Sequence, residues 1–166
     1  MNAIILAAGQ GKRLAPLTEH KPKCMVNLFG KTILEWQISV FKKCGITDIS
    51  IVTGYRSELI NLPGLEFFQN KKFETTNMVE SLFCASEKLN ESTIVSYGDI
   101  IFEKKVLDKL IQSKEDFSVV VDKNWKRYWE MRFDNPLNDA ESLKIDTDGN
   151  ITSIGQKTQK IDEIEG

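Results

Sequence analysis

The chain has little of the chemistry that metal clusters, disulfide frameworks and imidazole catalysis require. It contains one histidine, His20, and three cysteines, Cys24, Cys44 and Cys84, which lie far apart and form no Cys-x-x-Cys pair. A zinc cluster needs several Cys or His ligands at short spacings, and a disulfide framework needs paired cysteines. Neither class is supported, and we expect free thiols in a reducing, cytoplasmic compartment.

A long apolar run is also missing. The apolar segment at residues 3–8 is short, has no basic region before it and runs into glycines. A membrane-spanning helix needs about 20 apolar residues, and a secretory signal needs a basic start and a longer apolar centre. The sequence therefore predicts no membrane association.

Neither sign of charge dominates. The 22 Lys and Arg residues face 24 Asp and Glu residues, which leaves a net charge of -2. Sequence-independent binding to DNA or RNA depends on a basic surface, so we expect no nucleic-acid partner and only local recognition of phosphate. A length of 166 residues with 41% hydrophobic residues indicates one globular domain.

Short apolar segments alternate with amphipathic segments in the first two thirds of the chain. Strands are predicted at residues 3–8, 48–53, 65–70 and 93–97. Helices are predicted after residue 31, where Ile33, Leu34, Ile38 and Phe41 share a face, and at residues 56–61, 77–89 and 103–112. This alternation is typical of βαβ units with a parallel sheet.

The pattern changes after residues 117–122. No clear helix follows, and Asp148-Gly149 separates two alternating stretches in the manner of a hairpin turn. The predicted fold is therefore a Rossmann-like, doubly wound α/β protein with a mixed sheet and a small antiparallel extension near the C-terminus. Such sheets bind ligands beyond the carboxyl ends of their central strands.

The loop after the first strand has the composition of a phosphate site. Residues 6–26 read LAAGQGKRLAPLTEHKPKCMV, with Gly9 and Gly11 followed by basic residues. Glycines let backbone N–H groups approach a phosphate closely, because no Cβ intervenes. Arg13 offers a planar fork for phosphate oxygens, and Lys23, held after Pro22, offers a point charge. These residues suit a polyphosphate.

Two other phosphate-binding motifs and one purely structural interpretation compete for this loop. A Walker A loop requires glycine in place of Leu6 and Ser or Thr in place of Arg13, so it is rejected. A dinucleotide fingerprint requires a third glycine where Leu14 stands, so it is weak. A glycine turn with solvated basic residues is the favoured interpretation of Gly-x-Gly alone.

A longer pattern surrounds the two glycines. Its residues are, in order, Gly9-x-Gly11-x-Arg13-Leu14-x-Pro16-Leu17-Thr18, Pro22-Lys23-x-Met25-Val26 and Gly30-Lys31-x-Ile33-Leu34. The pattern resembles the N-terminal signature of sugar-nucleotidyltransferase-like pyrophosphorylases. TTNMVESL at residues 75–82 and SYGD at residues 96–99 resemble the branch that uses CTP with phosphocholine, aminoethylphosphonate or glutamine phosphate. Relatives usually continue further, so we expect one nucleotidyltransferase domain, residues 1–166, that is C-terminally truncated.

The resemblance implies a Mg²⁺-dependent cytidylyltransferase that transfers CMP from CTP to a small phosphorylated acceptor and releases pyrophosphate. Its product would be a CDP-activated building block for a surface polysaccharide or lipid. The implied catalytic residues are Arg13, Lys23 and Asp99. The implied nucleotide-binding residues are Leu6, Ala7, Ala8, Gly9, Gly11, Lys12, Arg13, Lys23, Asn77, Ser81 and Gly98. CTP and the acceptor are the expected partners, and a homodimer is possible.

Two alternatives to this activity stay open. One is a uridylyl- or thymidylyltransferase acting on a sugar 1-phosphate, and the other is a catalytically silent nucleotide-binding regulatory subunit.

No general base is needed for the expected reaction, because a phosphate monoester is already an anion near neutral pH.

Several of these residues also have a purely structural interpretation. Asp99 follows a strand and suits Mg²⁺, but Asp is also a common N-cap before a helix. Asn77 and Ser81 lie one helical turn apart and suit the pyrimidine edge, but Asn77 also suits an N-cap and Ser81 a solvent-facing position. Lys12 replaces the Ser or Thr of many relatives and is either a phosphate contact or a solvated side chain.

The acceptor site is predicted in the last third of the chain. Trp125 and Trp129 would share a helical face and could attract a quaternary ammonium group by cation–π contacts, or they could simply cover the core. Asp122 could bind an amine or hydroxyl of the acceptor. Lys157 resembles a lysine that holds the acceptor phosphate in relatives, and it equally suits the end of a hairpin.

Overall fold

The structure is a computed structural model that describes residues 1–89, 92–138, 140–158 and 160–165. The chain divides into two compact units, Met1–Lys114 and Glu115–Gly166. The expectation that the whole chain forms one domain stays a prediction. Among the described residues, every helix is too short or too polar to cross a bilayer.

The first unit is built on a four-stranded parallel sheet of β1 (Asn2–Ala7), β4 (Ile49–Thr53), β5 (Glu66–Gln69) and β6 (Thr93–Tyr97). The strand order across the sheet is β5-β4-β1-β6. Two short strands, β2 (Asn27–Leu28) and β3 (Lys31–Thr32), form a separate antiparallel pair. The four strands predicted from the sequence are confirmed, each within one residue of its predicted start and end.

Strand β1 lies in the middle of the sheet, between β4 and β6. Ala3, Ile4 and Ile5 are fully buried, which explains the continuous apolar run at the start of the chain. Parallel pairing aligns Leu6 with Val52 on one side and with Tyr97 on the other. The loops that leave β1, β4 and β6 therefore begin at one edge of the sheet.

Three helices accompany this sheet: α1 (Ile33–Lys43), α2 (Met78–Phe83) and α3 (Lys104–Gln112). Helix α1 begins with a capping box, in which the Thr32 side chain accepts from the Glu35 amide and the Glu35 carboxylate accepts from the Thr32 amide. Leu34 and Phe41 on its apolar face are fully buried in the core. The predicted helical face is confirmed for Leu34, Ile38 and Phe41, whereas Ile33 is only partly buried.

Two predicted helices are shorter than expected. The helix predicted at residues 77–89 is α-helical only over Met78–Phe83, and a 3-10 turn, Ser86–Lys88, follows it. The helix predicted at residues 56–61 is a single 3-10 turn, Ser57–Leu59. Met78 and Phe83 are more than half exposed, so little apolar burial supports a longer α2.

The second unit contains α4 (Trp125–Glu130) and the antiparallel strands β7 (Glu141–Ile145) and β8 (Ile151–Lys157). The predicted hairpin is confirmed: Gly149 has a φ of 90° and donates its amide to the Asp146 carbonyl. The absence of a clear helix signal after residue 122 was misleading, because α4 forms there. Trp125 buries its side chain with Ala140 and Ile164, and this packing stabilises α4.

Candidate active site

The candidate site lies where β1 and β6 end. The amide of Gly98, directly after β6, donates to the Leu6 carbonyl on β1 at 2.8 Å. A Cβ on Gly98 would lie 3.0 Å from both the Leu6 oxygen and the Ala7 Cβ, so glycine permits this close approach. This hydrogen bond holds the Gly98-Asp99 turn against β1, the strand that leads into residues 8–14, the glycine loop.

Gly11 has a backbone conformation and an environment that favour glycine. Its φ is 70°, in the left-handed region, and a Cβ there would lie 3.0 Å from the Lys23 Cβ. The Gly11 carbonyl accepts two hydrogen bonds, one from the Leu14 amide and one from the buried Thr18 hydroxyl, both at 2.9 Å. The loop is thus a defined turn that packs against the stem of Lys23.

Lys23 and Asp99 form an ion pair across the site. Lys23 Nζ lies 2.5 Å from Asp99 Oδ2, and the two side chains are 33% and 39% exposed. Pro22 and Cys24 on either side of Lys23 are buried, which anchors the lysine at the edge of the site. Two of the three predicted catalytic residues are therefore brought together, with part of each side chain open to solvent.

The third predicted catalytic residue, Arg13, lies with Lys12 on the exposed 3-10 turn Lys12–Leu14 of the same loop. Gly9 is exposed, and a Cβ on it would meet no atom within 4 Å. Space is therefore available beside the Gly9 backbone. The phosphate contacts of these three residues stay predictions.

Ala7 and Ala8 are buried, and Leu6 is half-buried, so these residues can offer a ligand little more than their main chain. The Ala8 carbonyl already accepts from the Tyr55 amide at 2.9 Å. A Cβ on Gly54 would lie 2.6 Å from that carbonyl oxygen, so the loop after β4 packs closely against the glycine loop.

Asn77 is the N-cap of α2, which is one of the two interpretations that the sequence left open. Its Oδ1 accepts from the amides of Val79 and Glu80. Ser81 does not face solvent, contrary to its structural interpretation: it is buried, and its hydroxyl accepts from Asn70 Nδ2 at 3.0 Å. Contacts of Asn77 and Ser81 with a pyrimidine stay predictions.

Cys24 lies next to Lys23 but is not a plausible nucleophile. Burial raises the pKa of its thiol to about 12, against a small lowering by a backbone hydrogen bond and a small further rise from the Asp99 charge. A thiol with that pKa carries almost no thiolate near neutral pH.

Gln37 on α1 was not predicted from the sequence. Its side chain is 1% exposed and bonds to the strand end that carries Asp99. Gln37 Nε2 donates to the carbonyls of Tyr97 and Ile100, and Gln37 Oε1 accepts from the Ser96 hydroxyl. The sequence signal that could have identified Gln37 is its position as a polar residue one turn after Leu34, on the apolar face of α1.

The predicted acceptor residues all belong to the second unit. Trp125 is 6% exposed and lies in the core of that unit, the alternative that the sequence left open. Trp129 contacts it edge-on at 6.2 Å, and the Arg132 guanidinium lies 5.3 Å from the Trp129 ring centre. Asp122 is exposed and accepts from the Asn124 amide, and Lys157 ends β8 in an exposed position. Acceptor binding by these residues stays a prediction.

Asp99 offers a metal a carboxylate at the strand ends. In the part of the chain that the structure describes, His, Cys, Asp and Glu form no group of three that could enclose an ion. A half-exposed carboxylate nevertheless suits Mg²⁺, which binds through one or two carboxylates together with substrate phosphates. Asp99 therefore fits the group as a single ligand.

Residues 3–139 match the model of the MobA-like NTP transferase domain, and the chain belongs to this family. It is 44% identical over 176 residues to the CTP:phosphoglutamine cytidylyltransferase of Campylobacter jejuni, covering 99% of this chain and 69% of that protein. It is 37% identical over 117 residues to the choline-phosphate cytidylyltransferase of Streptococcus pneumoniae, covering 68% of this chain and 51% of that protein. The resemblance to the CTP-using branch is confirmed.

A third relative is the bifunctional sugar-1-phosphate nucleotidylyltransferase/acetyltransferase of Sulfurisphaera tokodaii, 32% identical over 167 residues, 96% of this chain and 37% of that protein. Among solved structures, the inositol-1-phosphate CTP transferase of T. maritima matches with a TM-score of 0.68 and 26% identity, over 96% of this chain and 65% of that one. The predicted α/β fold class with a small antiparallel extension is confirmed. The prediction of a mixed main sheet is wrong for the described residues, because all four strands of that sheet run parallel. The chain thus spans between 37% and 69% of the length of these proteins.

Proposed function

We propose that the chain carries the nucleotide-binding part of a cytidylyltransferase that transfers CMP from CTP to a small phosphorylated acceptor. The observation that carries this proposal is the Lys23–Asp99 pair, which places a cation and a carboxylate together beside the glycine loop. A nucleotidyl transfer requires both: a cation for the phosphorus under attack and an oxygen ligand for a divalent metal.

In the proposed reaction, an acceptor phosphate oxygen attacks the α-phosphorus of CTP in line with the leaving group. One P–O bond forms to the acceptor, the P–O bond to the β-phosphate breaks, and pyrophosphate leaves with the electron pair. Both reactants are anions, so the work of the protein is to hold them together against their repulsion. Mg²⁺, when bound, would neutralise phosphate charge.

Lys23 is assigned to the α-phosphate. Its stem packs on Gly11, so the lysine lies directly against the loop that would bind the phosphates. Arg13 and the amides around Gly9 complete the phosphate site. Because the acceptor brings its own negative oxygen, the site requires no histidine as a general base.

Phosphoglutamine is the acceptor that we favour among the expected ones. The 44% identity to an enzyme named for it extends over 99% of this chain. Phosphocholine is less favoured, because the Arg132 guanidinium already lies over the Trp129 ring. A sugar 1-phosphate with UTP or dTTP is the second candidate, supported by the relative with 32% identity. The cytoplasmic location, the homodimer and the use of the product in a surface glycan stay predictions.

Pyrophosphate release tests the proposal. The full-length protein is supplied with each of four NTPs and with phosphoglutamine, phosphocholine, aminoethylphosphonate or glucose 1-phosphate. We expect release with CTP and phosphoglutamine, dependent on Mg²⁺ and lost in Asp99→Asn. Release with UTP and glucose 1-phosphate would establish the second candidate, and CTP binding without release under any combination would indicate a regulatory subunit.

A further inference from the structure

The turn that carries Asp99 is bonded on both sides of that residue by one buried side chain. Gln37 Nε2 donates to the Tyr97 carbonyl at 2.9 Å and to the Ile100 carbonyl at 2.8 Å. These carbonyls lie two positions before Asp99 and one position after it. The two hydrogens of a single amide therefore span the turn.

The other end of the Gln37 amide is also occupied. Gln37 Oε1 accepts from the Ser96 hydroxyl at 2.9 Å, and Ser96 is buried on β6. With both hydrogens and the oxygen in use, the amide has one well-defined orientation inside the protein. It cannot rotate without leaving buried polar groups without partners.

Helix α1 is itself held in place. The Thr32–Glu35 capping box defines its first turn, and Leu34 and Phe41 pack in the core on either side of Gln37 along the helix. Gln37 is thus a rigid support rather than a flexible surface residue. It occupies the apolar face of α1, where an aliphatic side chain would serve the core better, so its polar contacts explain its presence.

We infer that Gln37 is a positioning residue, which holds the turn from Tyr97 to Ile100 so that the Asp99 carboxylate faces Lys23 and the site of the metal. The inference rests on the proposed function for its catalytic consequence. Its structural content, the dependence of the Lys23–Asp99 contact on Gln37, stands independently of any reaction.

Gln37→Glu is the informative variant. It keeps the volume of the side chain and an oxygen that can accept from Ser96, but it removes the two N–H donors. Gln37→Met, which removes all the polar contacts, is the second variant in case a buried carboxylate prevents folding. Ile38→Ala is the matched control, because Ile38 is the next residue on α1, is buried in the same core and loses packing without altering these bonds.

The first measurement is the crystal structure of each variant. We expect the Lys23 Nζ to Asp99 carboxylate distance to exceed about 4 Å, the limit of an ion pair, in the Gln37 variants and to remain short in Ile38→Ala. An unmoved turn in a Gln37 variant would overturn the inference.

The second measurement is the Mg²⁺ concentration that gives half-maximal pyrophosphate release. Loss of a residue that orients a metal ligand typically costs about 10- to 100-fold in metal affinity or activity. We expect a rise of that order in the Gln37 variants with little change in KM for CTP, and no rise in Ile38→Ala. Equal effects in the Gln37 variants and the control would overturn the inference. If the wild type releases no pyrophosphate, the proposed function fails, and the crystal structures still decide the role of Gln37.

Discussion

Lys23 Nζ and Asp99 Oδ2 lie 2.5 Å apart, although the two residues are 76 positions apart in the chain. One residue comes from the loop after β1, and the other comes from the turn after β6. Their contact exists because β1 and β6 are neighbouring parallel strands whose carboxyl ends lie at one edge of the sheet. The pair is therefore a product of the sheet order, and it gives the candidate site its cation and its carboxylate.

Replacing Lys23 tests whether this residue contributes to the catalytic step or to the binding of CTP. Since Lys23 is assigned to the phosphorus under attack, Lys23→Ala should lower kcat by about 10²- to 10³-fold, the usual cost of one donor that stabilises transition-state charge. The Kd for CTP, measured by calorimetry, should change far less. Lys21→Ala is the control, because Lys21 is an exposed lysine two positions away. Equal losses of kcat and CTP affinity would contradict the assignment to the transition state.

Alanine substitutions at Gly9 and Gly11 provide a matched pair of variants for testing the glycine loop. Gly11→Ala forces a Cβ into the left-handed region and against Lys23, so it should lower the free energy of unfolding by about 1–2 kcal/mol. Gly9→Ala adds a Cβ that meets no protein atom within 4 Å, so it should leave stability nearly unchanged.

The same pair tests the phosphate site. If phosphates approach the Gly9 backbone, the methyl group of Gly9→Ala should weaken CTP binding in calorimetry while the melting temperature stays close to that of the wild type. A Gly9→Ala protein with unaltered CTP affinity would show that the phosphates lie elsewhere.

Asn77 can be tested for a role beyond the N-cap. Asn77→Ala should cost about 1 kcal/mol of stability, because the amides of Val79 and Glu80 lose their acceptor. Asn77→Asp keeps an acceptor at the cap but removes the amide donor, so stability should be retained. If the amide also contacts the pyrimidine, Asn77→Asp should reduce the preference for CTP over UTP in pyrophosphate release. An unaltered preference would leave Asn77 with the cap alone.

Glu35 should make stability depend on acid pH. Hydrogen bonds from the Thr32 amide and then from the Thr32 hydroxyl lower the pKa of Glu35 below its usual 4.5 in the folded chain. Burial opposes them, and the charge of Lys31 adds the smallest effect, a further lowering. A carboxyl with a lowered pKa stabilises the fold above its unfolded pKa, and this contribution disappears as the pH falls through the folded pKa.

Glu35→Gln should therefore destabilise the protein more at about pH 6 than at about pH 3, as measured by urea unfolding at the two pH values. Glu58→Gln, which removes an exposed carboxyl elsewhere in the chain, is the control. A Glu35→Gln effect that is the same at both values would exclude the predicted linkage.

The sequence predicted the elements that depend on residues close together in the chain. The apolar run of β1, the short apolar segment of β6 and the Asp148-Gly149 turn each carry their pattern within a few residues, and each forms as predicted. Asn77 as an N-cap is of the same kind, because its partners lie two and three positions away.

Long-range contacts set the limit of this prediction. The partners of Gln37 lie 59, 60 and 63 positions away. The sequence of α1 therefore shows a polar residue among apolar ones but does not show what that residue binds. Trp125 likewise had two interpretations until its packing with Ala140 and Ile164 placed it in a core. The helix after residue 122 was missed because tertiary burial of Trp125, rather than local periodicity, supports it.

The Gly11 carbonyl has a further consequence for anions. An oxygen that receives bonds from both the Leu14 amide and the Thr18 hydroxyl has both lone pairs committed to the protein. An anion bound at this loop would therefore be repelled less by the Gly11 oxygen than by a carbonyl oxygen without hydrogen bonds. The hydrogen bond from the buried Thr18 hydroxyl therefore lowers the electrostatic repulsion between this loop and an anion beside it.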